Sequence, residues 1–155
     1  MKVLKLGQIV HDIITGMDGS LTHMMVYIGG NIEYVFQPRS LNSTTNLPSK
    51  KMWMPKERLQ RGEEIEIDIP FHILGTEVED EVTGFKGKIV HLVYHLDNCL
   101  HVDVKPSGLN SQGEPHDSAE FDIRRVKGPA ITEAKQKQVE EAPDSPTEYP
   151  QKRYA

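Results

Sequence analysis

The sequence predicts an all-β fold of two tandem small β-barrel units, followed by a short C-terminal helix and an extended tail. Three observations carry this. An eight-residue motif occurs twice, short alternating apolar runs are separated by tight turns, and helical patterning is nearly absent before residue 130.

The motif is Asp80-Glu81-Val82-Thr83-Gly84-Phe85-Lys86-Gly87, and its partner is Asp12-Ile13-Ile14-Thr15-Gly16-Met17-Asp18-Gly19. A constant shift of 68 positions aligns Leu6-Gly7 with Leu74-Gly75, Val10 with Val78 and His23 with His91. The same shift aligns Pro38 with Pro106, Leu41-Asn42-Ser43 with Leu109-Asn110-Ser111, and Trp53 with Phe121. Gly, Pro and Asn set turns, so their coincidence at one offset marks a duplicated fold. Gly16, Gly19, Gly84 and Gly87 are assigned to the structural turns of the two corners. The chain then divides into a first unit at 1–62, a connecting strand at 63–72, a second unit at 73–128, and a helix with a Pro-rich tail at 129–155.

Within the first unit, residues 1–14 read as a strand kinked at Gly7, and residues 21–28 as a second strand ending at the Gly29-Gly30-Asn31 hairpin turn. Residues 32–37 return as a third strand that Pro38 ends. Residues 39–51 are a polar surface loop, and Met52-Trp53-Met54-Pro55 is an edge strand with Trp53 as a core anchor. Lys56-Glu57-Arg58-Leu59 reads as a short helical turn. Residues 63–71 alternate charge with Ile65, Ile67, Ile69 and Phe71, a connecting strand shared by both units. The second unit repeats the plan with runs at 73–82, 88–96, 99–105 and 119–126. Five short strands, tight turns and one long loop per unit suggest a small SH3-like barrel. Residues 131–142, with Thr132 as cap, form the helix. The tail from Pro143 holds too few apolar groups to fold alone; Tyr149, Arg153 and Tyr154 are its anchors for a partner.

Composition narrows function. A formal charge of −5 disfavours a nucleic-acid-coating protein, because neutralising phosphates needs surplus Lys and Arg. Local basic clusters at Lys50, Lys51, Lys56, Arg58 and Arg61, and at Lys86, Lys88, Arg124 and Arg125, read as solvated faces. No apolar stretch is long enough to span a bilayer, and the first residues already belong to a strand pattern. Cys99 is the only cysteine, which excludes an internal disulfide and a multi-cysteine zinc site.

No glycine-rich phosphate loop precedes a helix. His91, His95 and His101 fall in one hairpin with Asp97 and Asp103, but His91 and His95 along a strand stand too far apart for one tetrahedral ion, so no metal is assigned. Glu79 with Asp80, and Glu120 with Asp122, read as solvated strand faces. The expectation is a non-enzyme without cofactor.

The run Leu74-Gly75, Glu79-Asp80, Val82 to Gly87 of the motif, Asn98-Cys99, Pro106, Glu114-Pro115, Phe121-Asp122 and Arg125 resembles a family of small phage-encoded SH3-like β-barrel proteins. The resemblance covers about residues 73–127 and, more weakly, 5–59, where Met17 replaces Phe85. It implies a phage origin and a compact accessory module. The leading expectation is a virion structural protein, decorating a capsid or placed at the neck or tail, made in the host cytoplasm and binding other phage structural proteins through sheet edges and its tail. A homo-oligomer fits this expectation too. The alternative is an anti-defence protein that sequesters a cyclic nucleotide signal through Phe85, Asn98, Arg124 and Arg125. A nucleic-acid-binding barrel ranks third.

Overall fold

The computed structural model describes residues 1–141 and is mostly β. In the first half lie Lys2–Leu4 (β1), Ile9–Asp12 (β2), Asp18–Tyr27 (β3), Ile32–Pro38 (β4), Met52–Met54 (β5), Leu59–Gln60 (β6) and Glu64–Glu66 (β7). In the second lie Glu77–Asp80 (β8), Lys86–Tyr94 (β9), Leu100–Lys105 (β10), Ala119–Asp122 (β11) and Val126–Lys127 (β12), followed by the helix Thr132–Glu141 (α1). Four short 3-10 turns join strands, two of them at Lys56–Arg58 and Ile123–Arg125.

The two halves repeat key backbone hydrogen bonds of each other. Gly7 N donates to Leu21 O and Gly75 N to Ile89 O; Asp12 N donates to Met17 O and Asp80 N to Phe85 O. In β3 the pairing with β4 slips between Leu21 and His23, and in β9 the pairing with β10 slips between Ile89 and His91. The extra residues, Thr22 and Val90, are β-bulges at equivalent positions. Each bulge moves the buried face from Leu21 to Met24 and from Ile89 to Leu92, leaving His23 and His91 on the outer face.

The halves meet through their equivalent long strands. β3 and β9 run antiparallel with Met24 opposite Tyr94, Met25 opposite Val93 and Val26 opposite Leu92. Met25 therefore faces its own repeat equivalent, which makes a local two-fold axis, and strands from both halves join in one ten-stranded sheet. Beneath it the buried side chains of both halves, among them Leu21, Phe36, Leu92 and Ile123, form a single apolar cluster. Together with Ile131 just before it, the C-terminal helix buries Ala134 in the same apolar cluster. Its Gln138 Oε1 accepts from Leu100 N at 3.1 Å, capping a strand amide that would otherwise be open.

Several expectations need correction. Trp53 is no core anchor: it is 52% exposed, and its neighbour Met54 is the buried residue. The cause is a one-residue deletion between repeats. The polar loops close through bridges Leu41 to Pro48 and Leu109 to Pro115, so the offset is 68 entering the loop and 67 leaving it. Met54 pairs with Tyr34 as Phe121 pairs with Val102, and Trp53 corresponds to Glu120. The account expects Met54→Ala to cost about 3 kcal/mol through cavity formation. Trp53→Ser should stay within about 0.5 kcal/mol in the same urea titration.

Of the connecting strand at 63–72, only β7 pairs, and it pairs with β1 of the first half. Pro70, which lacks an amide, leads into a 3-10 turn at Phe71–Ile73 and ends the extended run. Gly19 and Gly87 lie inside β3 and β9 and are not turn residues. Gly16 and Gly84 do occupy the corners, with φ of 75° and 76°. Thr132 is the first residue of α1 instead of its cap.

Candidate functional site

Each corner is built on a buried carboxylate. Asp12 and Asp80 end β2 and β8, and the chain turns back through Thr-Gly so that amides and a hydroxyl point at the acid. Asp12 accepts from Ile14 N, Thr15 N and Thr15 Oγ1, and from Arg58 Nε at 3.0 Å and Nη2 at 2.7 Å. Asp80 accepts from Val82 N, Thr83 N and Thr83 Oγ1, and from Arg125 Nε at 2.6 Å and Nη2 at 2.9 Å. A fork-shaped guanidinium suits two carboxylate oxygens at once, so each pair locks a 3-10 turn onto a corner. The backbone follows: Ile13 N donates to Arg58 O and Glu81 N to Arg125 O. Both carboxyls are held well below the usual range, chiefly by the arginine hydrogen bonds and against the cost of burial. Asp80 thus departs from the solvated strand face expected of it, and Arg58 and Arg125 from solvated basic faces.

Each corner exposes an apolar side chain among polar neighbours such as Thr15, Glu81 and Thr83. Ile14 is 70% exposed and its equivalent Val82 73%. Beside each corner the polar loop begins; Asp18 O accepts from Arg39 N in the first half. These loops are ordered by asparagine. Asn42 Oδ1 accepts from Thr44 N and Thr45 N, and Asn110 Oδ1 from Gln112 N and Glu114 N. Held this way, Leu41 and Leu109 are 59% and 62% exposed at equivalent positions. Both positions are thus apolar and exposed in each half, related by the local axis between β3 and β9, and Ile28 with Leu96, 55% and 52% exposed, makes a third equivalent pair.

The residues expected for a nucleotide are placed as follows. Phe85 and Phe121 rings meet at 5.6 Å with their planes tilted by 49°, and the Arg125 guanidinium lies 5.3 Å over Phe121. Arg125 is also bonded to Asp80, and Arg124 is bonded to Asp122 through Nε at 3.0 Å and Nη2 at 2.6 Å. Both guanidiniums are thus matched by carboxylates. Asn98 sits in the Leu96–Asn98 turn, where it lines a cleft of about 740 Å³ with Asp68, Tyr94, Leu100 and Lys137. Tyr149, Arg153 and Tyr154 lie outside the described residues. Two other basic side chains are paired, Lys56 with Glu64 at 2.5 Å and Lys127 with Glu79 at 3.8 Å. No described helix is long and apolar enough to cross a membrane.

Sequence spacing singles out His91, His95 and His101, and the structure groups the histidines differently. The outer face of β3, β10 and β11 carries His23, His101, Glu120 and Asp122, and His95 joins them just past the end of β9. His95 Nε2 lies 2.7 Å and His101 Nδ1 3.3 Å from Glu120 Oε1. The His95 ring touches both other imidazoles, with centroids 4.5 Å from His23 and 4.1 Å from His101. Burial, and then the neighbouring His95, lower the pKa of His23 and of His101. His91, which sequence spacing pairs with His95, instead bonds Asp103 at 3.0 Å and packs on Tyr27. Cys99 is half-buried, and burial, followed by Asp122, pushes its thiol up, which disfavours the nucleophilic thiolate.

No protein-family model matches this chain, and neither a curated protein nor a solved structure shows significant similarity to it.

Proposed function

We propose that the chain is a non-enzymatic structural accessory protein of a phage particle, made of two SH3-like β-barrel units that act together as a bivalent contact module. The observation that carries this reading is the repeated apolar pair, Ile14 with Leu41 and Val82 with Leu109, exposed at equivalent positions about a local two-fold axis. A ligand site needs a concave, converging set of groups. A contact module instead needs projecting apolar anchors on a rigid frame, and two equivalent sets fit a partner that offers two equivalent surfaces. The buried aspartates, tied to their arginines, hold the corners that bear Ile14 and Val82, and the asparagines order the loops that bear Leu41 and Leu109. Particle proteins arranged with symmetry supply such paired surfaces, which is why a virion component fits better than a soluble monomeric partner. The phage setting itself rests on the sequence resemblance.

Photo-crosslinking tests the bivalent part. A photoreactive residue at Leu41 or at Leu109, introduced during phage growth, should join the chain to the same particle protein from both positions. Adducts to unrelated proteins from the two positions, or none from either, would contradict it.

A further inference from the structure

Three features outside the contact surface invite a role: the cleft beneath α1, the Cys99 thiol with Asp122, and the histidine face. The cleft is open and bridged by Lys137 and Asp68 at 3.2 Å. Asp122 already spends both oxygens on Arg124, which leaves Cys99 and His101 with a carboxylate that is engaged elsewhere. The histidine face brings together donors whose partners are chiefly one another.

We infer that His95 Nε2, His101 Nδ1 and Glu120 Oε1 form a binding site for a divalent transition-metal ion of the zinc class, with His23 beside it. The three donor atoms lie within 4.8 Å of one another. Two ligands about 2.0–2.1 Å from a tetrahedral zinc ion are themselves about 3.3 Å apart. The 3.3 Å contact to Glu120 Oε1 matches that spacing and the 2.7 Å contact falls short of it, so taking up an ion needs the His95 and Glu120 side chains to part slightly. Two imidazoles and a carboxylate leave a fourth position for water or an outside ligand, the arrangement of an open zinc centre.

Comparison between the halves sharpens the case. His95, His101 and Glu120 occupy the positions of Tyr27, Glu33 and Trp53 in the first half, where Tyr27 Oη donates to Glu33 Oε2 at 3.0 Å. One fold position thus carries a tyrosine–glutamate hydrogen bond beside a tryptophan in one half, and two imidazoles with a carboxylate in the other. Nothing in the shared scaffold requires that donor set. His23 reaches it from the first half because β3 and β9 place it opposite His95, so the site sits on the seam between repeats. Lys51 and Arg124 are the nearby cations that act on this face, and Asp122 is its other acid.

The test uses the untagged full chain, stripped with chelator and titrated with Co²⁺ by visible absorption, then with Zn²⁺ in competition. One Co²⁺ per chain, displaced by Zn²⁺, is expected. His101→Ala and Glu120→Gln should each weaken binding by about tenfold or more. His91→Ala, which removes a histidine outside the site, should leave it unchanged. Circular dichroism checks that each variant is folded, and if one is not, Zn²⁺-induced shifts of the His95 and His101 ring resonances in the unmodified chain decide. No stoichiometric Co²⁺ complex, binding indifferent to His101→Ala and Glu120→Gln, or ring shifts confined to other histidines would overturn the inference.

Discussion

Asp80→Ala is expected to lower the thermal midpoint by about 15 °C, and Asp12→Ala to do the same. Each carboxylate accepts hydrogen bonds from two amides, a threonine hydroxyl and an arginine, so alanine strands the amides of a corner and an arginine whose partner is gone. Removing one member of such a pair costs more than removing both. Asp80→Ala combined with Arg125→Met should therefore be less destabilised than the sum of the single variants, measured as a double-mutant cycle. Strict additivity would show that the pair does not hold the corner.

The same pairs fix the direction of the acid response. In the folded chain both carboxyls titrate below their ordinary value, while in the unfolded chain they titrate near 3.9. A depressed folded pKa means that protons bind the unfolded state first. Their contribution is therefore complete above about pH 4 and is lost as pH falls toward the folded values. Thermal midpoints of Asp12→Asn and Asp80→Asn should change less between about pH 4 and pH 2 than those of the parent chain.

Gly87→Val is expected to abolish folding, and Gly19→Val to come close. A Cβ at Gly87 would overlap the Lys105 carbonyl, with Pro106 N at 2.9 Å; at Gly19 it would lie 2.5 Å from Gln37 O. These neighbours are backbone of the adjoining strand and cannot rotate away, so a side chain forces β9 from β10, or β3 from β4. The φ values at Gly16 and Gly84 predict a different sensitivity. There an added Cβ meets no other atom within 3.9 Å, and only the left-handed backbone resists, so Gly84→Asn should be tolerated better than Gly84→Val. Soluble yield and circular dichroism distinguish the two kinds of glycine. Equal tolerance of Gly87→Val and Gly84→Val would contradict the close-approach explanation.

Much of the fold was legible because its punctuation is local. Gly29 and Gly30 take φ of 96° and 94° at the first hairpin, and Asp97 and Asn98 take 64° and 55° at the corresponding turn, all positions that turn residues mark in the sequence. The Thr-Gly corners stood out for the same reason. The function of the aspartate in each corner did not, because its arginine arrives 45 or 46 residues later, past a loop that differs by one residue between repeats. That difference also misaligned Trp53 with Phe121. The histidine face was hidden for another reason. Which side chains share it depends on the bulges at Thr22 and Val90 and on the pairing of β3 with β9, and a period of two along one strand reveals neither. Spacing therefore paired His95 with His91, whereas topology brings it to His23 and His101.

Quantitative mass spectrometry of gradient-purified phage particles tests the proposed function most directly. The account predicts that the chain co-purifies through a high-salt wash at a fixed whole-number ratio to a major particle protein, and that Leu41→Asp with Leu109→Asp removes it without unfolding it. A chain abundant in infected-cell lysate and absent from washed particles would contradict the account.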